Sequence, residues 1–147
     1  MRIKDSNHSP ATRLYQNTAK GHFDAHSMAS SSMGRRLVYG GHVMSICKAL
    51  AYDGLENSLG LLAINGGSHV APVFAGDTVC CATTVLEKID YPHAPVGALR
   101  LRLIAAKNVG SAAAIRFPVD DARHPPEVVL DIDCTVALPK RQLRQST

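Results

Sequence analysis

The fold is decided by residues 35–54, which read RRLVYGGHVMSICKALAYDG. Within this stretch the apolar side chains recur every three or four residues, at Val43, Ile46, Cys47, Leu50 and Ala51. That spacing places them on one face of an amphipathic helix, and Gly54 provides a stop signal. We therefore predict a helix from Gly41 or His42 to about Tyr52, with its apolar face toward a core.

Two glycines, Gly40 and Gly41, come directly before this apolar stripe. Because they lack side chains, they leave backbone N–H groups at the helix start uncovered, and the helix dipole adds a positive potential there. Such a helix start can bind a developing oxyanion. A tight turn with close helix–strand packing explains the same glycines without a ligand, and both interpretations can hold together.

The chain after Gly54 has the patterns of β-strands. Apolar and polar residues alternate in the strand around Leu99 and again over residues 128–138, and further extended runs occupy residues 59–73 and 78–88. A sheet with one apolar face needs a cover, and the predicted helix is the element that can supply it. The predicted fold class is α+β: a curved, mainly antiparallel sheet wrapped around one central helix, which is the hot-dog arrangement.

The charged residues of the two alternating strands make this prediction specific. If residues 99–107 and 128–138 are antiparallel neighbours, Arg100 should face Asp133 and Arg102 should face Asp131 on the outer side of the sheet. For the domain organisation, we expect a flexible N-terminus over residues 1–12, one hot-dog domain over residues 13–139 and a basic tail over residues 140–147.

Composition limits the classes of partner. Only 5% of the residues are aromatic, Trp is absent and the net charge is a mild +4, so we expect no nucleic-acid partner. No apolar run reaches the length of a membrane span and the first residues lack a signal-peptide core, so we expect no membrane partner. The four cysteines fall in predicted helix or strands, with Cys80 and Cys81 on opposite faces of one strand, which indicates packing in a reducing, cytoplasmic location.

Four stretches together resemble the MaoC-like dehydratases, hot-dog enzymes that add water to acyl thioesters or remove it. These stretches are GRRLVYGGHV (34–43), NGGSH (65–69), APVFAGDTV (71–79) and VGALR (96–100). Within the family, the likeness is to the C-terminal half of the mesaconyl-CoA hydratases, also called β-methylmalyl-CoA dehydratases. The resemblance implies an acyl-CoA thioester as substrate, no cofactor, and side-by-side pairing of hot-dog units, either as a homodimer or with a separate hot-dog subunit.

The family's hydratase motif, Asp-x-Asn-Pro-x-His-x-Asp, aligns with NTAKGHFD over residues 17–24. His22 and Asp24 match the motif, whereas Asn17 replaces its leading Asp. The resemblance implies that His22 is the acid–base catalyst and that Asn17, which cannot titrate, orients the water. It also implies that Gly40 and Gly41 bind the thioester oxygen.

Two residues and a pair of arginines have open roles at this stage. Asn65 and Gly66 either admit the acyl chain or bend the sheet. Arg35 and Arg36 either meet a CoA phosphate or form surface ion pairs. His42 is expected to be a helix-start residue that bonds locally.

Other functions remain possible for this pattern. A hot-dog thioesterase would share the fold and the CoA ligand, with Asn17 or Asp24 activating water. A degenerate unit would bind acyl-CoA or a partner subunit without turnover. A metal site formed by His22, Asp24 and His26 would require these residues to alternate along a strand, and we expect no metal.

Overall fold

The computed structural model describes residues 1–116 and 123–141, which form four helices, four strands and one 3-10 turn. In chain order these elements are α1 Asp5–Leu14, α2 Lys20–Phe23, α3 Ala25–Ala29, α4 Gly40–Leu50, β1 Gly60–His69, β2 Val79–Asp90, β3 Val96–Lys107, the 3-10 turn Ala112–Ala114 and β4 Val128–Pro139. The strands form one sheet in the order β1-β4-β3-β2, and every neighbouring pair is antiparallel. The predicted α+β class is confirmed.

Helix α4 covers the apolar face of this sheet, as its sequence pattern predicts. Val43, Ile46 and Cys47 are buried, and they belong to one core with residues of β3 and β4 such as Leu101 and Val129. The helix begins at Gly40, one residue before the predicted start, and ends at Leu50. Burial of this face supplies the main packing between helix and sheet, at about 25 cal/mol for each Å² of apolar surface.

The expected flexible N-terminus and the expectation of a single helix are both corrected. Residues 5–14 form α1, and Ile3, His8 and Thr12 are buried. Ile3 is held because its N–H donates to Asp77 O (2.9 Å) and its carbonyl accepts from Gly76 N (2.8 Å). The prediction failed because α1 is polar and has no apolar stripe to mark it as a helix.

Strand β1 carries the predicted irregularity. Its pairing with β4 shifts register twice, between Leu61 and Ala63 and between Ile64 and Gly66. Gly67 follows with a φ of +147°, and a Cβ there would lie 2.5 Å from Asp131 O. Glycine is therefore required at this position because β4 approaches too closely for a side chain. The strand ends at His69, before the predicted Val73.

The predicted antiparallel neighbours β3 and β4 and their ion pairs are confirmed, but the register is shifted by two residues from the predicted one. Arg102 lies opposite Asp133 in the ladder, while the side chains pair diagonally. Arg100 Nε donates to Asp133 Oδ1 and Arg102 Nε donates to Asp131 Oδ1, both at 3.0 Å. Residues 117–122, which precede β4, and residues 142–147 of the predicted basic tail lie outside the described residues.

The cysteines are free and serve packing, as predicted. Cys80 and Cys81 point to opposite faces of β2, because Cys81 packs on the main core and Cys80 on a smaller cluster behind the sheet. Cys47 of α4 contacts Cys81, with 2.7 Å between the sulfur atoms. The contact with Cys81, together with burial, raises the pKa of the Cys47 thiol, so it stays protonated.

Candidate functional site

A cavity of about 590 Å³ opens at the N-terminal end of α4. It lies between the segment that leads into the helix, the segment that follows β1, and α2. Its lining consists of His22, Leu37, Val38, Tyr39, Gly40, Gly41, Val43, Met44, His69, Val70, Ala71, Pro72 and Val73. The cavity therefore combines an apolar wall with two histidines, one tyrosine and the start of a helix.

His22 is fixed in one orientation by the backbone. Its Nδ1 lies 3.0 Å from Leu37 O. Because a carbonyl oxygen can only accept a hydrogen bond, Nδ1 carries the proton in the neutral ring and Nε2 keeps a free lone pair. The segment itself is held from the other side, since Leu37 N donates to Gly21 O at 2.9 Å. His22 is thus oriented to act as a base through Nε2.

The start of α4 presents the two N–H groups that its sequence predicts. The amides of His42 and Val43 both turn back to Tyr39 O, at 2.9 and 3.2 Å. The amides of Gly40 and Gly41 precede them and have no hydrogen-bond acceptor within the described part of the chain. Both glycines line the cavity, so these donors can reach an oxygen placed there.

Tyr39 closes one side of the cavity. Its ring meets His22 edge-on, with 5.7 Å between the ring centroids, and packs at the same distance against Tyr15. The ring also folds back over the helix start, where a Cβ on Gly41 would lie 2.5 Å from it. Gly41 therefore makes room for Tyr39 as well as exposing its amide.

His69 is a cavity residue to which the sequence analysis assigns no role. It is the last residue of β1, and desolvation lowers its pKa. Desolvation also lowers the pKa of His42, which does not line the cavity and lies in the first turn of α4, as expected of a helix-start residue. His69 belongs to the NGGSH stretch, which carries part of the family resemblance. The sequence pattern does not show, however, that the end of β1 meets the start of α4.

Asn17 is not part of the cavity lining. Its Oδ1 accepts a hydrogen bond from Ala19 N at 2.9 Å, which is a local turn that precedes α2. Asp24 has a similar local role, because its Oδ1 accepts from Ser27 N at 2.9 Å and caps α3. That hydrogen bond lowers the pKa of Asp24. Among residues 1–116 and 123–141, no Asp or Glu lines the cavity.

Asn65 and Gly66 also lie away from the cavity. Asn65 Nδ2 donates to Asp133 Oδ1 at 2.8 Å and to Thr135 Oγ1 at 3.0 Å, on the outer side of the sheet. Gly66 sits at a register shift of β1. These positions favour the bending role over the acyl-chain role.

The paired arginines are engaged locally. Arg36 donates to Asp5 Oδ1 at 2.9 Å and to Ser9 Oγ at 2.8 Å, which is the surface ion pair considered above. The guanidinium of Arg35 stacks 4.0 Å from the centroid of the Phe74 ring.

The strand geometry that a metal site would need is absent. His22 lies in α2 and His26 in α3, with Asp24 as the cap between them. Among residues 1–116 and 123–141, no group of three or more His, Cys, Asp or Glu side chains could bind a metal ion.

A second cavity, of about 570 Å³, adjoins the first along α4 and shares Tyr39, Gly41 and Met44 with it. Its other walls are mostly apolar and come from β1, β3 and β4, with Leu61 and Ile64 on the side of β1. The two cavities together follow one flank of the central helix.

Comparisons with known proteins identify the fold. The chain is 44% identical over 142 residues to a protein named β-methylmalyl-CoA dehydratase from Chloroflexus aurantiacus, and 44% identical over 138 residues to mesaconyl-CoA hydratase from Cereibacter sphaeroides. A solved MaoC domain protein dehydratase of Chloroflexus aurantiacus superimposes with a TM-score of 0.87 at 44% identity. The chain is a homologue of the MaoC-like dehydratases. The predicted hot-dog fold is thereby confirmed.

The matches cover nearly all of this chain but less than half of each relative. The alignments cover 95% and 94% of this chain but only 40% and 39% of the two curated relatives, and the superposition covers 96% of this chain and 40% of the solved one. The Mycobacterium tuberculosis protein Rv0216, described as a double hot-dog fold, is 28% identical with a TM-score of 0.61, and the chain covers 34% of it.

No family model matches this MaoC-like homologue. Its described residues contain no helix of the length and apolarity that a membrane span requires.

Proposed function

We propose that this MaoC-like unit is a hydratase/dehydratase that adds water to, or removes it from, the α,β-position of a short, possibly branched acyl-CoA thioester. One observation carries the proposal: the free Nε2 of His22 and the uncovered amides of Gly40 and Gly41 belong to the same cavity. The names of the two relatives supply the substrate class, a CoA thioester with a branched, short acyl group.

The arrangement matches the demands of the reaction. In the hydration direction, His22 Nε2 takes a proton from water while the water oxygen bonds to the β-carbon. The double-bond electrons move to the thioester oxygen, where the N–H groups of Gly40 and Gly41 stabilise the enolate. The enolate then collapses and takes the proton from the His22 imidazolium at the α-carbon, so one histidine returns to its starting state. Dehydration reverses these steps.

The positions of Asn17 and Asp24 help to distinguish a hydratase from a thioesterase. A thioesterase needs a group that directs water to the thioester carbon, and the two residues considered for it, Asn17 and Asp24, make local hydrogen bonds outside the cavity. The second cavity can take the acyl group, because its apolar walls begin at Met44 and Tyr39 beside the helix start. The geometry therefore favours hydration over hydrolysis.

We also propose that the unit functions beside a second hot-dog unit, either another copy of this chain or a separate subunit. Strand β1 is an edge strand with Leu61 and Ile64 more than half exposed, and an apolar edge is a surface for strand pairing. The relatives are more than twice as long as this chain, which fits two units in one polypeptide. A reducing, cytoplasmic location is proposed from the free cysteines.

The test follows two products in parallel. Purified protein is incubated with mesaconyl-CoA and crotonyl-CoA, and loss of the enoyl absorbance is measured beside release of free thiol. We expect absorbance to fall without thiol release. His22→Gln should lower kcat by about 10²–10⁴-fold, because it removes the base.

Two control variants complete this test. His93→Gln, an exposed residue of the β2–β3 loop, should match the wild type. Asn17→Asp should change kcat little, since this side chain does not line the cavity. Thiol release would indicate the thioesterase instead. No turnover on either substrate, with binding retained, would indicate the non-catalytic unit.

A further inference from the structure

The position of Gly40 requires an explanation that backbone conformation does not supply. The glycines with positive φ are Gly34, Gly54, Gly67 and Gly76, so Gly40 is not needed for a left-handed turn. It is the first residue of α4, and an alanine could adopt the same backbone conformation there. Something else must exclude a side chain at this place.

The excluded space is occupied by the ring of His69. A Cβ on Gly40 would lie 2.6 Å from His69 Nε2 and 2.8 Å from its Cε1. The ring thus rests directly on the backbone of the helix start, beside the uncovered amides of Gly40 and Gly41. Neither ring nitrogen of His69 has a hydrogen-bond partner within the described residues.

We propose that His69 is a third donor to the thioester oxygen and works together with the amides of Gly40 and Gly41. The inference rests on the proposed function, because it names a further catalytic residue in the same cavity. The Nε2 side of the ring lies against the backbone of Gly40, and His69 lines the same cavity as Gly40 and Gly41, where the negative charge of the enolate would develop.

A neutral imidazole suits this role at the start of a helix. A neutral ring has one N–H donor, and the positive end of the helix dipole opposes a second proton. Desolvation lowers the pKa of His69 in the same direction. The other titratable groups that line the cavity are His22 and Tyr39, and His42 lies in the adjoining turn of α4. The two histidines then have different roles, because His22 transfers the proton and His69 polarises the thioester carbonyl.

The first measurement does not require turnover. Butyryl-CoA labelled with ¹³C at the thioester carbonyl is saturated, so it binds without being hydrated. Its carbonyl stretching band is recorded by difference infrared spectroscopy, free and bound. A hydrogen-bonded carbonyl absorbs at lower wavenumber, so the wild-type protein should lower the band. His69→Ala should return part of the shift, whereas His69→Gln, which keeps an N–H donor, should retain most of it.

Gly40→Ala provides a second, independent variant. Alanine keeps the amide N–H but places a methyl group where the ring of His69 lies, and the ring is the end of a flexible side chain that can swing aside. The band should therefore shift as in His69→Ala, and the double variant should show no further change. His93→Ala, in an exposed loop, is the matched control and should leave the band unaltered.

The second measurement is turnover of crotonyl-CoA. His69→Ala should lower kcat by about 10²–10³-fold with little change in KM, as expected for a lost oxyanion donor. A band in His69→Ala equal to that of the wild type, or no shift in the wild type, would overturn the inference. If the band depends on His69 but the wild type has no turnover, the proposed hydratase function fails and the donor role of His69 stands.

Discussion

Strands β1 and β3 are built from similar apolar residues and have opposite environments. In β3, Leu101 and Ile104 are fully buried, whereas in β1 Leu61 and Ile64 are 51% and 53% exposed. The difference follows from position in the sheet, since β3 lies between β4 and β2 while β1 has a neighbour on one side. The apolar residues of both strands predict that both are buried. Within a single unit, only the strand in the middle of the sheet is.

The two faces of β3 show how burial is completed in the centre. Leu101 and Leu103 face α4 and the main core, while Ile104 and Ala106 belong to a second cluster behind the sheet. Strand β1 has neither cover, and all ten of its residues are exposed. This contrast supports the proposal that another hot-dog unit covers the surface of β1.

The largest expected effect is in the centre. Leu101→Ala should lower the free energy of unfolding by about 2–5 kcal/mol, because it opens a cavity in the packed core. Leu61→Ala should cost less than about 0.5 kcal/mol in an unpaired unit, because about half of this residue is already exposed to water. Urea denaturation of both variants measures this difference. Equal losses in the unpaired unit would contradict the contrast between the strands.

An intermediate effect is expected on pairing. Ile64→Lys places a charge on the apolar edge and should weaken association by at least about tenfold, or about 1.4 kcal/mol, in light scattering over a dilution series. Val85→Lys is the matched control, since Val85 is 47% exposed on the opposite edge strand, β2. If Val85→Lys dissociates the assembly and Ile64→Lys does not, the units pair through the other edge.

The smallest effect concerns the charged side of the central strands. Burial alone would raise the pKa of Asp131, but the hydrogen bonds from Arg102 and His124 outweigh it and lower the pKa. A lowered folded-state pKa contributes stability above the unfolded value of about 3.9, and this contribution is lost as the pH falls through the folded value.

Asp131→Asn should therefore cost about 1 kcal/mol at pH 7 and flatten the decline of stability below about pH 4. Unfolding by urea at a series of pH values measures both. Asp53→Asn, in an exposed turn, is the control. An unchanged acid limb in Asp131→Asn would show that this ion pair does not contribute.

The sequence predicts the central part of the molecule better than its rim. Alternation in β3 and β4 predicts the charged partners of Arg100 and Arg102, because a half-buried strand imposes a strict period of two, but a shift of two residues keeps the same faces and was not predicted. Helix α1 was missed since its buried residues, His8 and Thr12, are polar and form no apolar stripe that would mark a helix.

The same distinction applies to the candidate site. The roles of His22, Gly40 and Gly41 could be predicted from short motifs, because each motif determines the local backbone structure around its own residues. The place of Asn17 was not predictable from the aligned motif, since a turn at Ala19 engages its side chain. His69 enters the cavity only through the fold, which brings the end of β1 to the start of α4.

The position of His22 has a consequence for how freely its surroundings can vary. Gly21 and His22 are joined to Leu37 by two hydrogen bonds, and Val38 N is joined to Val73 O at 2.8 Å. These backbone hydrogen bonds fix the position of His22 in the domain. The length of the chain between residues 23 and 36 does not. We therefore expect that the segment over residues 24–35, which includes α3, can change in length while the base stays in place, and that such changes would alter access to the cavity.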